Sequence, residues 1–214
     1  MPAARLAALP PTRHTPKGAR TRERILDTAE RLFAEKGYEG TTLRDVAAAA
    51  GLRIPSLYNH FAGKASLYAA VLERGIAPVL EALSEQVQAA RGRPDTDRFI
   101  ARIFGLLARR PDLPRLIQQE TLRGGGRLSP ILSGWFKPTF AKAEEMLRAN
   151  PGARRWSDDQ IPLLVIALYH VAIGFFTFAP LYEALSREDL LSQEALARQT
   201  RFFGDLVAAL MPDD

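Results

Sequence analysis

The 214-residue sequence has no cysteine. That excludes disulfide frameworks, thiol nucleophiles and thiolate metal sites, and it fits a reducing cytosol. Histidine is scarce too. His14 and His170 lie far in sequence from His60 and form no ligand spacing with it, so no metal site is expected. No Ser-His-acid set, HExxH or dinucleotide fingerprint occurs. Gly124 to Gly126 lack the Lys-Ser/Thr of a phosphate loop and read as a hinge. The acid pairs Glu144/Glu145 and Asp158/Asp159 diverge around a helix or sit at its start, where acids favour the dipole. The expectation is a protein that is not an enzyme and needs no cofactor.

Strand-like alternation is missing as well, and acids are absent from the first 22 residues. What is present is charge asymmetry. Residues 1–64 hold 11 Lys and Arg against 6 Asp and Glu, whereas residues 65–214 hold 18 of each. The surplus of the chain's +5 net charge therefore sits in the first third. Such a bias points to an anionic partner for that third, nucleic acid or a membrane surface.

The helical pattern begins in "ARTRERILDTAERLFAEKGYEG". Ile25, Leu26, Ala29, Leu32 and Phe33 share one face, and Gly37 closes the helix. In "TTLRDVAAAAGL", Thr42 and Asp45 make an acidic capping box and Gly51 ends the helix. Pro55 is tolerated only in a first turn, so a third helix starts near Arg53 or Ile54. Two short helices joined at a glycine make a helix-turn-helix pattern. Within the third helix Leu57 and Phe61 are expected to face the core. Arg53, Ser56 and Asn59 suit base edges, and Tyr58, His60 and Lys64 suit phosphates. The start of the next helix, near Gly63 to Ala65, adds free amides and a positive dipole end.

Helical runs follow at about 79–91, 96–109, 112–123, 130–149, 158–180 and 188–211, separated by Pro/Gly punctuation. The expected fold is all-α, a basic headpiece on a larger neutral bundle. Its expected divisions are a flexible basic arm at 1–18, a helix-turn-helix domain at 19–65 and a ligand-binding and dimerisation domain at 66–214. Residues 161–182 carry no charge and are long enough to span a bilayer. Pro162, His170, Gly174 and Pro180 interrupt them, and the flanks Asp158, Asp159 and Glu183 lack a cationic cluster. A helix apolar on all sides can equally be buried on all sides, between its own core and a partner.

From Thr21 to Leu72 the motifs "A..LF...G", "TT.RD.A..AG" and "LY.HF..K..L" run in unbroken order. This stretch resembles the DNA-binding headpiece of the TetR/AcrR family of transcriptional regulators. The resemblance implies backbone contacts from Thr42, Arg44, Tyr58, His60 and Lys64, and base reading from Arg53, Ile54, Pro55, Ser56 and Asn59. Arg53 stands where many members have a serine cap, and Ile54 and Pro55 where they have small or polar residues. The remainder resembles the family in architecture alone, which implies a homodimer joined through the last two helices and a small-molecule pocket in the bundle.

The expected seam residues are Leu164, Leu168, Phe175, Leu196, Phe203, Leu206 and Leu210. The expected pocket residues are Phe104, Ile117, Glu120, Trp135, Phe136, Phe140, Tyr169, His170 and Phe176, with Glu120 as polar anchor. The function expected is a cytoplasmic dimeric repressor, released from a pseudo-palindromic double-stranded DNA operator by a small apolar effector. The alternative reading is a membrane-associated helical protein with its basic arm on anionic lipid.

Overall fold

The first helix folds because one stripe of Ile25, Leu26, Ala29, Leu32 and Phe33 can be buried while its other face stays charged. In the computed structural model, which describes residues 16–89, 96–122 and 137–212, this helix is α1, Pro16–Gly40. It starts three residues before the expected boundary, so Lys17 and Gly18 are helical. The helix breaks at Gly37, whose φ of 72° is open to glycine at little cost. Residues 1–15, most of the expected arm, lie outside the described residues.

α2 (Leu43–Ala49) and α3 (Ile54–Tyr58) follow, joined through Gly51 at φ 65°. α4 (Lys64–Ala89) is one helix that runs through Pro78, where a break had been expected. Pro78 withholds a single amide, and its neighbours Ile76 and Leu80 are buried on the continuing helix. α5 (Thr96–Ala108), α6 (Asp112–Leu122) and α7 (Lys137–Ala149) come next, then a 3-10 turn at Pro151–Arg155. α8 (Ile161–Ser186) passes through Pro180 and closes at Arg187 in the left-handed region, beyond the expected end at 180. α9 (Gln193–Leu210) is capped by the Ser192 hydroxyl. Every described element is helical, as the missing strand pattern implied.

Two apolar clusters organise these helices. The first joins α1, α2 and α3 with Leu67, Val71, Leu72, Ile76 and Leu80 of α4, and also takes in Leu113 and Leu116 of α6. The second gathers Ile100, Phe104 and Leu107 of α5 with Leu164, Ile173 and Phe176 of α8 and Phe203 and Val207 of α9. The headpiece core therefore extends past residue 65 and is completed by a helix from the bundle.

Polar ties reinforce that joint. Gln119 donates from Nε2 to the Ala34 carbonyl at 3.0 Å. The buried Glu30 accepts at one oxygen, Oε2, from Arg74 at 2.7 Å and from Arg110 at 2.6 Å. Arg74 also reaches Asp27 at 2.8 Å and Glu23 at 3.0 Å.

Candidate nucleic-acid interface

The headpiece surface is built by local signals. Thr42 caps α2: its hydroxyl accepts from the Asp45 amide at 3.1 Å, and Asp45 Oδ2 accepts from the Thr42 amide at 3.0 Å and hydroxyl at 2.7 Å. The Thr42 hydroxyl and then the Thr42 amide hold the Asp45 carboxyl below the ordinary carboxylate range. Beside it, the fully buried Thr41 hydroxyl lies within 3.0 Å of the Leu32 carbonyl and 2.9 Å of the Gly37 carbonyl. It fixes the α1–α2 turn. Thr41 is not legible in the sequence, because a hydroxyl whose partners are carbonyls leaves no mark on apolar periodicity.

Pro55 occupies the first turn of α3, with Arg53 at the N-cap position and no side-chain cap. Arg44, Arg53, Pro55 and Asn59 are exposed and Ser56 is half-buried. Tyr58 is 53% exposed, so this aromatic is surface and not core. Leu57 and Phe61 point inward as expected. Ile54 is half-buried against the same cluster, which leaves only part of its side chain for an outside contact.

Lys64 is drawn back onto the headpiece. Its Nζ sits 4.3 Å from the Tyr38 ring centroid and donates to the Glu39 carbonyl at 3.3 Å. Tyr38 in turn meets Tyr68 edge-on at 4.9 Å. The ammonium is thereby held in place on an aromatic shelf, a geometry in which cation–π attraction replaces some lost hydration. Arg22 lies over Phe61 at 5.2 Å, which seats the start of α1 beside the end of the recognition segment. His60 is half-buried at the same corner. The Gly63 amide is taken by the Ser66 hydroxyl at 3.1 Å, so this donor of the α4 start is already committed.

Charge is segregated across the headpiece. Glu23, Asp27 and Glu30 are gathered by Arg74 of α4, and Glu35 pairs with Arg31. Among the described residues neither Arg44 nor Arg53 belongs to an ion pair. The α2–turn–α3 edge thus presents cations and hydrogen-bonding groups to solvent, which is the composition that phosphate and base edges require.

Among the described residues, only some of the expected pocket residues come together. Phe104, Tyr169 and Phe176 share the second cluster, with the Phe104 and Phe176 rings 6.0 Å apart, and burial pushes the Tyr169 phenol up. Phe140 is half-buried. Ile117 instead packs on the headpiece cluster. His170 points outward: it is exposed, with Nδ1 2.8 Å from the Ile166 carbonyl. Trp135, Phe136 and the Glu120 side chain lie outside the described residues.

Two of the seven expected seam residues face inward, and the other five are half-buried. Leu164 and Phe203 are buried in the second cluster, and Leu168, Phe175, Leu196 and Leu210 pack against that same core; Leu206 is half-buried. The outward apolar side chains are Leu163, Ile166, Phe178, Leu181 and Leu185 of α8 and Phe202 of α9. α8 is apolar all round, so its periodicity carried no phase from which the outer face could be chosen.

Residues 25–71 match the family model of bacterial regulatory proteins, tetR family. The biofilm operon icaADBC HTH-type negative transcriptional regulator IcaR of Staphylococcus aureus is 49% identical over 47 residues, which is 22% of this chain and 25% of that protein. The HTH-type transcriptional repressor AcnR of Corynebacterium glutamicum is 36% identical over 86 residues, 39% of this chain and 46% of that protein. The chain thus aligns with a quarter to just under half of these relatives' lengths. SmeT, the repressor of the Stenotrophomonas maltophilia multidrug efflux pump SmeDEF, superposes with a TM-score of 0.63 at 25% identity, covering 90% of this chain and 91% of SmeT.

Proposed function

We propose that this chain, whose residues 25–71 belong to the tetR family of bacterial regulatory proteins, is a dimeric DNA-binding transcriptional repressor of the cytoplasm. The observation that carries the reading is the α2–turn–α3 edge, where Thr42, Arg44, Arg53, Tyr58 and Asn59 are exposed while Glu23, Asp27 and Glu30 of α1 are paired with Arg74. A short helix presenting such groups fits the major groove, with Arg53, Ser56 and Asn59 toward base edges and Arg44, Tyr58, His60 and Lys64 toward phosphates. Two copies spaced by about 34 Å read the two halves of a pseudo-palindrome.

Release follows from a small apolar effector entering the bundle near Phe104, Tyr169 and Phe176. An effector shifts an equilibrium only by its difference in affinity between two states. α6 is the element that both must share, because Leu113 and Leu116 belong to the headpiece cluster while the helix itself belongs to the bundle. The membrane alternative is not favoured. α8 is long and apolar enough to cross a bilayer, yet its inner face is packed on α5 and α9 through Phe104, Phe176 and Phe203.

The test is selection of duplex oligonucleotides from a random pool by the purified protein. Enrichment of a two-fold-related sequence, with affinity falling steeply as salt rises, is the expected result. Indifference to duplex DNA of every sequence in dilute buffer overturns the reading.

A further inference from the structure

Arg110 stands between the two apolar clusters along the chain itself. Its amide donates to the Leu107 carbonyl at 3.0 Å, and its own carbonyl accepts from the Leu113 amide at 3.0 Å. Leu107 is buried in the bundle cluster and Leu113 in the headpiece cluster. The backbone at Arg110 is thus fixed with respect to both cores, and from that point its side chain reaches Glu30 of α1 at 2.6 Å.

The other ties across this joint are less able to fix an angle. α4 runs unbroken from headpiece to bundle, and one helix alone is an axis about which the headpiece can turn. Leu113 and Leu116 press on the headpiece cluster, but apolar burial is non-directional and resists separation more than rotation. Gln119 gives one neutral bond, to the Ala34 carbonyl at 3.0 Å. A bond between two charged groups is directional and roughly twice as strong as a neutral one.

Arg110 is also the removable partner of Glu30. Arg74 holds Glu23, Asp27 and Glu30 at 3.0, 2.8 and 2.7 Å, so its departure would strand three carboxylates. The Arg110 side chain is 27% exposed against 13% for Arg74, and it borders an open groove lined by Asp27, Arg109, Pro111 and Asp112. When Arg110 turns into that groove, Glu30 keeps Arg74 and no buried charge is left unpaired. The contact can therefore break while the headpiece stays folded.

We propose that Arg110 is a positioning residue that acts through Glu30 to set the angle of the headpiece, and through that angle the half-site spacing accepted on DNA; this rests on the dimeric DNA-binding reading above. α1 carries the constraint to the recognition surface. Arg22 near its start lies over the Phe61 ring at 5.2 Å, about 12 Å along the helix from Glu30. One base pair added between two half-sites moves them by about 3.4 Å and turns them by about 35°. Two headpieces held at one angle cannot follow that turn, whereas two released from Arg110 can.

The test compares three duplexes by fluorescence anisotropy at low salt: the selected two-fold sequence, the same sequence with one base pair inserted at its centre, and a single half-site. For the parent protein the insertion is expected to weaken binding strongly. Arg110→Met keeps the aliphatic stem and removes the charge. It is expected to shrink the insertion penalty by about tenfold, the worth of one charge-assisted bond, and to leave half-site affinity unchanged. Arg110→Lys retains a charge that can reach Glu30 and is expected to restore the parent's spacing preference. Equal insertion penalties in the parent and in Arg110→Met overturn the proposal, and so does an Arg110→Met protein that loses half-site and full-site binding alike. A parent protein indifferent to the insertion overturns the dimeric reading and this one together, and its half-site affinity then decides separately whether it binds DNA.

Discussion

Glu30 and Arg110 meet at 2.6 Å although 80 positions separate them in the chain. The oxygen they share, Glu30 Oε2, also takes Arg74, so one carboxylate binds headpiece helix α1 to α4 and to the turn between α5 and α6. Glu30 is only 6% exposed, and a buried carboxylate stripped of its donors is costly. The α6 contact is thus specified by charge as well as by Leu113 and Leu116.

The two sides of that joint differ in what their loss leaves behind. Glu30→Ala strands a largely buried Arg74, although Glu23 and Asp27 remain on its other nitrogen, and is expected to cost about 3 kcal/mol of unfolding free energy. Arg110→Ala leaves the Glu30–Arg74 pair in place, and its loss of one charge-assisted bond is expected to cost about 1.5 kcal/mol. Urea unfolding curves check both. Equal costs would contradict the view that Arg74 is the principal partner.

Gly75, at the same junction, and Gly105 of α5 make a matched pair for packing. A Cβ on Gly75 of α4 would come within 2.5 Å of Leu113 Cδ1, and Leu113 is itself buried. Gly75→Ala is therefore expected to destabilise by about 1–3 kcal/mol. Gly105 of α5 has open space around the same position, so Gly105→Ala is expected to stabilise by about 0.5–1 kcal/mol. Thermal melts of the two variants should move in opposite directions.

The capping box gives a pH signature. Thr42→Ala is expected to cost about 0.5–2 kcal/mol. The folded-state pKa of Asp45 is depressed by Thr42, so its contribution is fully present above the unfolded carboxylate pKa of about 3.9 and is lost as pH falls through the folded value. Asp45→Asn should accordingly flatten stability against pH in the acid range. Above pH 5 the slope should match that of the parent protein.

These features were unequally legible in the chain. The headpiece was readable because its signals are local: Pro55 can occupy only a first turn, Gly37 and Gly51 mark positive φ, and Thr42 with Asp45 spells its own cap. The Glu30 joint was not, since Glu30 reads as one more solvated charge in "TAERLF" until Arg74 and Arg110 arrive from distant sequence. α8 failed differently. Leu163 and Leu164 are chemically identical, and only the position of α5 and α9 decides that Leu164 is 5% exposed and Leu163 outward. α4 continues through Pro78 because tertiary burial of Ile76 and Leu80 outweighs the loss of one amide bond.

Lys64 and Asn59 separate the two kinds of contact asked of the recognition surface. Lys64 is held by the Tyr38 ring and the Glu39 carbonyl, so its ammonium is a fixed point charge suited to a phosphate and blind to sequence. Asn59 is exposed at the end of α3, with an amide that can donate to and accept from a base edge. Lys64→Ala is expected to weaken binding to every duplex alike and to reduce the salt slope by about one. Asn59→Ala is expected to leave that slope unchanged and to cost about 1–3 kcal/mol on the selected sequence while sparing others. Fluorescence anisotropy on selected and scrambled duplexes between low and moderate salt measures both quantities. Because Tyr38 only positions the lysine, Tyr38→Leu should reproduce part of the Lys64→Ala slope change without altering sequence preference. A change of preference in that variant would move Tyr38 from support into recognition.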